Sequence, residues 1–219
     1  MDPTRHAVLL ATLVALAGAT ARAEPAMGLA LSANAGLAAA RDVRPGGSQN
    51  VDTTPQYYLA ASGSFSAGPL VAGVDLDAAL GGYAEEVYAG GFLGEQLKTK
   101  RWLFQLVGEG GEHFLADLGA DDSHTSTVDT VMLPYLGARL RAGRRLAFAG
   151  RKGSMFMGVS AFVRRDIRQE QITATLTERC ALFDFECEQP PSTTETFEVG
   201  GWTGGLVFDF TWWSAGWFR

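Results

Sequence analysis

The sequence predicts an all-β chain, an eight-stranded antiparallel up-and-down transmembrane β-barrel. Three observations lead there. Apolar and polar residues alternate with a period of two again and again along the chain. The connections between alternating stretches are by turns short and long. The last such stretch, from Phe197 to Trp213, carries the alternation far enough to cross a bilayer. In it Trp202, Gly204, Leu206, Phe208, Phe210 and Trp212 share one face, and Thr203, Gly205, Val207, Asp209 and Thr211 the other. A tilted strand needs roughly 9–11 residues to span the hydrocarbon. Its backbone N–H and C=O groups would be unpaired in lipid, and only a closed barrel pairs them all.

The N-terminus speaks to the compartment. Arg5 and His6 precede an apolar run, Ala7 to Ala19, and Ala21-Arg22-Ala23 closes it before Glu24. A basic start, an apolar core and an A-x-A ending predict a secretory signal peptide over 1–23, cleaved after Ala23. The run is too short for a spanning helix, which needs about 18 apolar residues. The barrel domain is then 24–219, with no composition break to suggest a second domain. The whole chain carries a formal net charge of −6, and removing Arg5, Arg22 and Asp2 makes it more acidic. Such a balance, without a basic cluster, argues against nucleic-acid binding.

From Ala26, Leu29, Leu31, Ala33, Ala35 and Leu37 face away from Gly28, Ala30, Ser32, Asn34 and Gly36. Arg41 to Thr54 is a loop by composition. From Pro55 to Ser66, Tyr57, Leu59, Ala61 and Phe65 oppose Tyr58, Ser62, Ser64 and Ser66, and Ala67-Gly68-Pro69 turns the chain. Leu70, Ala72, Val74, Leu76 and Ala78 make the next apolar face, opposite Gly73, Asp75 and Asp77. Gly81-Gly82 opens a short loop before a weaker strand, Glu86 to Leu97. Its faces are ambiguous, since Val87, Ala89 and Leu93 compete with Tyr88 and Phe92.

After Lys98-Thr99-Lys100, Trp102, Phe104 and Leu106 oppose Leu103, Gln105, Val107 and Glu109, and Asp117 to Ser126 is an acidic loop. Thr127 to Ala142 sets Met132, Leu136, Ala138 and Leu140 against Tyr135, Gly137, Arg139 and Arg141. Pro134 inside it predicts a bulge. Beyond a basic turn at Gly143 to Gly153, Met155, Met157, Val159, Ala161 and Val163 oppose Gly158, Ser160, Arg164 and Asp166. A long polar segment to about Glu195 leads into the final strand.

An even strand count with short turns at one end and longer loops at the other is the arrangement of outer-membrane barrels. It places both termini in the periplasm and the long loops outside. Trp102, Trp212, Trp213, Trp217 and Phe218 cluster near the turn end and predict an aromatic girdle, because such rings favour the membrane interface. A soluble lipocalin-type barrel alternates equally well, with its apolar face inward. The polar faces here are rich in Gly and Ser, with charges of both signs and few lysines. They predict a barrel interior in which Asp75, Asp77, Glu109, Asp166 and Asp209 meet Arg139, Arg141 and Arg164.

On this pattern the chain resembles the small eight-stranded outer-membrane proteins of the OmpA/OmpX type. The resemblance implies that Leu206-x-Phe208-x-Phe210-x-Trp212 is read by the barrel-assembly machinery, although the tail runs on to Arg219. It further implies outer-membrane lipid as the surrounding partner.

Few residues suggest chemistry. Cys180 and Cys187, in the last long loop of an exported chain, predict one disulfide. His124 and Ser126 fall on one face of a strand end, as nucleophilic catalysis needs. They resemble the His/Ser pair of outer-membrane lipid A deacylases, but Ala138 and Leu140 stand where that family has its carboxylate. His113, Asp117, Asp121 and His124 match no metal-ligand spacing. The expectation is therefore a non-enzymatic barrel without metal or cofactor, acting in envelope integrity or surface contact through its loops. Lipid A modification is the enzyme alternative. Solute transport ranks below both, since an eight-stranded barrel is filled by its own side chains.

Overall fold

The computed structural model describes residues 28–46, 53–120, 124–128, 130–146, 153–178 and 191–215. The predicted signal peptide, Cys180, Cys187, Trp217 and Phe218 lie outside the described residues. The strands are β1 (Gly28–Ala40), β2 (Val43–Pro45), β3 (Thr54–Ala67), β4 (Leu70–Leu80), β5 (Glu85–Lys98), β6 (Trp102–Ala116), β7 (His124–Ser126), β8 (Thr130–Arg145), β9 (Gly153–Asp166), β10 (Glu170–Glu178), β11 (Ser192–Val199) and β12 (Trp202–Ala215).

Eight of them close into an antiparallel barrel in the order β1-β12-β9-β8-β6-β5-β4-β3. Each wall strand pairs with its chain neighbours, and β12 closes the ring on β1 from Gly28↔Ala215 to Ala40↔Thr203. Closure leaves no free edge among these strands, which satisfies the backbone groups that lipid cannot. Gly68 takes the positive φ of 60° that a two-residue hairpin between Ala67 and Leu70 requires.

The faces follow the alternation. Leu31, Leu76, Leu136, Leu206 and Phe208 stand exposed on the outside, the last two each 68 % exposed, while Ser32, Asp77, Arg139 and Asp209 are buried inside. A soluble binding barrel has the reverse polarity, so the lipocalin-type reading does not describe this molecule. The ambiguous strand is settled as well. In β5 Glu86, Tyr88 and Gln96 point inward, and Val87 and Leu93 outward.

Two local expectations are corrected. Pro134 makes no bulge, because β6 and β8 keep one register from Trp102↔Arg144 to Ala116↔Thr130. The β8–β9 ladder ends at Tyr135↔Asp166, and Ile167 N–H donates to Pro134 O at 2.8 Å just beyond it. The missing proline donor thus falls where no ladder bond is due. The second correction concerns the final strand, which begins at Trp202 rather than Phe197. Gly200, at φ 96°, breaks the chain, and Phe197 belongs to β11.

The remaining strands form a second sheet, β2-β11-β10-β7, built wholly from the long connections. The acidic loop and the polar segment therefore contain strands that composition concealed. Val43, Ala174, Leu176, Phe197 and Val199 of this loop sheet pack with Leu115, Val131 and Leu133 of the wall and with Leu118. Each such side chain removed from water contributes about 1.5–3 kcal/mol, so the sheet is fastened over the barrel mouth.

Candidate functional site

Inside the barrel, alternate residues of several strands converge on one axis. Arg164 of β9 is 1 % exposed. It donates from Nε to Glu109 Oε2 at 2.9 Å, from Nη1 to Tyr58 Oη at 2.7 Å and from Nη2 to Asp75 Oδ2 at 3.1 Å, and it pairs with Asp77. Arg139 of β8 lies beside it, 2.8 Å from Asp77 Oδ2 and 2.6 Å from Glu109 Oε1. Nearer the turn end, Arg141 pairs with Asp209 and donates to Gln105 Oε1 at 2.9 Å and Ser32 Oγ at 3.1 Å. Gly137 makes room for this: a Cβ there would meet Arg164 Cγ at 2.8 Å. Buried charges are tolerated when paired and hydrogen-bonded, as these are. A gap lined by Ser62, Gln105, Glu109, Arg139 and Arg141 measures about 10 Å³, close to one water.

A second cluster lies toward the loop sheet, and Asp166 joins it rather than the arginines. Asp166 Oδ1 is 3.1 Å from His113 Nδ1, and its Oδ2 accepts from Gly201 N–H at 3.0 Å. The other imidazole nitrogen, Nε2, faces Glu86 Oε2 at 3.5 Å and has no hydrogen-bond partner. Glu86 Oε1 accepts from Gln56. Asp42, in the turn between β1 and β2, accepts from Thr203 Oγ1 at 2.8 Å and Tyr88 Oη at 3.1 Å. The Tyr88 ring stacks on His113 with centroids 4.0 Å apart. One ligand atom each from Asp42, Glu86 and His113 lie within 4.8 Å of one another, and all three residues are buried.

Sequence reasoning missed Asp42, Glu86 and His113 as a group, because they are brought together only by the ladders. Phase alone carried a hint: His113 shares the face of Glu109, four residues earlier on β6. The grouping of His113 with Asp117, Asp121 and His124 does not describe this cluster, and Asp121 lies outside the described residues.

At the turn end the aromatic girdle needs correction. Trp102 and Trp212 stand outside, 44 % and 43 % exposed, but Trp213 is 1 % exposed and points inward. Period two requires it, since adjacent residues of a strand face opposite ways. Trp213 packs with Ala30, Leu103 and Phe156 as an interior plug, with the Lys98 ammonium 4.0 Å above its ring. Phe156 is inside for the same reason.

His124 and Ser126 both lie on β7 of the loop sheet, where Ser126 Oγ accepts from Val128 N–H at 3.3 Å. Ser126 is thus used by the local turn.

No protein-family model matches the chain, and no curated protein matches it. Among solved structures it is similar to that of Neisserial surface protein A, at 12 % identity over 84 % of this chain and 95 % of that one, with a TM-score of 0.48. It is also similar to outer membrane protein AlkL in DMPC lipid bilayers, at 14 % identity over 88 % and 93 %, with a TM-score of 0.32. The class is set by the barrel's own geometry: a closed eight-stranded antiparallel β-barrel, apolar outside and filled with charge inside.

Proposed function

We propose that this is an outer-membrane β-barrel protein with a non-enzymatic role, structural or in surface contact, exercised through the loop sheet. One observation carries the reading. A continuous belt of exposed Leu, Val, Phe and Trp surrounds an interior of paired charges. An apolar surface of that extent is stable only against lipid or another apolar surface. The even strand count and the concentration of long connections at one end favour the outer membrane. Export by a cleaved signal peptide and insertion by the barrel-assembly machinery complete the route. The filled interior argues against a solute pathway. The loop sheet turns Thr173, Thr194, Thr196 and Glu198 outward, a polar, mildly acidic face for whatever the protein meets.

Fractionation of cells making the full-length chain tests this, with gel mobility before and after boiling and protease treatment of intact cells. The expected result is an outer-membrane band whose mobility shifts on heating, with cleavage confined to the loop-sheet end. A soluble periplasmic protein without a heat shift would overturn it.

A further inference from the structure

We infer that Asp42, Glu86 and His113 form a binding site for one divalent first-row transition cation beneath the loop sheet. Two independent features point to a ligand. The first is His113 Nε2, fully buried, without a hydrogen-bond partner and facing Glu86 Oε2 at the ion-pair distance of 3.5 Å. The orientation is fixed from behind. Nδ1 is 3.1 Å from Asp166 Oδ1, and Asp166 is itself held by Gly201 N–H. A carboxylate on one imidazole nitrogen leaves the other nitrogen's lone pair free and directed, which is how metal-ligating histidines are set.

The second feature is charge. Asp42, Glu86 and Asp166 bring three buried carboxylates together with one imidazole. The interior arginines do not compensate them: Arg139, Arg141 and Arg164 pair with Asp75, Asp77, Glu109 and Asp209. A dication is the group whose charge and coordination suit what remains. One imidazole with two carboxylates suits zinc, manganese or ferrous iron better than magnesium or calcium, which favour all-oxygen sets. Gln56, whose amide donates to Glu86 Oε1, steadies that carboxylate from outside the trio.

The position gives the site a purpose. Glu86 and His113 stand on the barrel wall, in β5 and β6. Asp42 begins the connection that enters the loop sheet as β2, and Gly200 N–H bonds to its backbone oxygen at 2.6 Å. A cation held by all three ties the loop sheet to the mouth of the barrel. The loops are then rigid when metal is present and looser without it.

The test uses the full-length barrel purified in detergent, with elemental analysis as isolated. It is followed by chelator stripping and titration with Zn²⁺, and separately with Mn²⁺. About one metal per chain is expected, or stoichiometric uptake by the stripped protein. The temperature at which the folded gel band is lost should rise by roughly 5–10 °C at saturation. His113→Asn and Glu86→Gln, each checked for a heat-modifiable band, should lose uptake, whereas His124→Ala should keep it. Failure of the well-folded wild-type barrel to bind either metal would overturn the site and leave His113 as an imidazolium held between Glu86 and Asp166. Uptake that persists in His113→Asn and vanishes in His124→Ala would likewise overturn it, by placing the metal at the surface. The heat-modifiable band reports the barrel separately, so the site can fail without the membrane reading failing.

Discussion

Arg164 of β9 reaches past β8 to Glu109 of β6, Nε to Oε2 at 2.9 Å, and the same guanidinium binds Asp75 and Asp77 on the opposite wall and Tyr58. One cation thus joins β3, β4, β6 and β9. Removing it leaves three buried carboxylates to Arg139, and breaking a buried pair from one side costs about 3–5 kcal/mol. Arg164→Met should therefore lower the urea midpoint of the folded barrel sharply. Arg164→Lys, with a point charge in place of a planar fork, should fall between. Unfolding followed by the heat-modifiable band or tryptophan fluorescence measures both. Equal midpoints for Met and wild type would show that the network does not support the barrel.

Adjacent tryptophans of β12 should behave unlike one another. Trp213 fills the turn end of the interior, and Gly28 is shaped to it, since a Cβ there would meet the indole nitrogen at 2.6 Å. Trp213→Ala opens a cavity and should cost about 3–5 kcal/mol. Trp212→Ala trims an exposed ring and should cost about 1 kcal/mol or less. Parallel denaturation in the same lipid or detergent decides it, and comparable losses would contradict the inward placement of Trp213.

The contrast also shows where the sequence was legible. All eight wall strands could be read, because period two survives wherever one face meets lipid and the other a packed interior. Trp213 leaves the girdle that composition suggests because it is in phase with Asp209 and Thr211, which face the interior. The faces of β5 were obscure because apolar residues occur on both, Tyr88 inside and Leu93 outside, and only Glu86 and Gln96 mark the interior. The loop sheet was hidden for a different reason. β2 and β7 are three residues each, and β10 and β11 are rich in Thr and Glu on their solvent faces. Ile172, Ala174 and Leu176, then Phe197 and Val199, were the available signals. The Asp42–Glu86–His113 cluster spans three distant segments, and no local pattern encodes its distances.

The lipid face can be probed at Phe208, which pairs with Ala35 and Val159 on neighbouring strands and stands 68 % exposed. An arginine near the bilayer midplane costs about 2–4 kcal/mol, falling toward zero at the interfaces. Phe208→Arg should reduce the folded fraction in lipid vesicles accordingly. Trp202→Arg, at the loop end of the same strand and face, should be milder. Refolding yield against vesicle concentration gives the comparison. Two equal effects would place Phe208 outside the hydrocarbon.

Phe197 tests whether the loop sheet is a separable layer. Its ring is 1 % exposed and lies so close to Gly119 that a Cβ there would meet it at 2.5 Å. Around it are Leu176 of the sheet and Leu115 and Leu133 of the wall, within one apolar cluster. Phe197→Ser removes the largest side chain of that cluster and puts a hydroxyl in its place, a loss of about 3–5 kcal/mol by comparison with other large core truncations. The wall should survive, because its eight ladders close on themselves without any strand of the loop sheet. The expected outcome is a heat-modifiable barrel of ordinary mobility whose β10–β11 region is cut by protease at least about tenfold faster, each 1.4 kcal/mol of local opening being worth a factor of ten. If the barrel itself fails to form, the loop sheet is part of the folding unit, and the layered description is wrong.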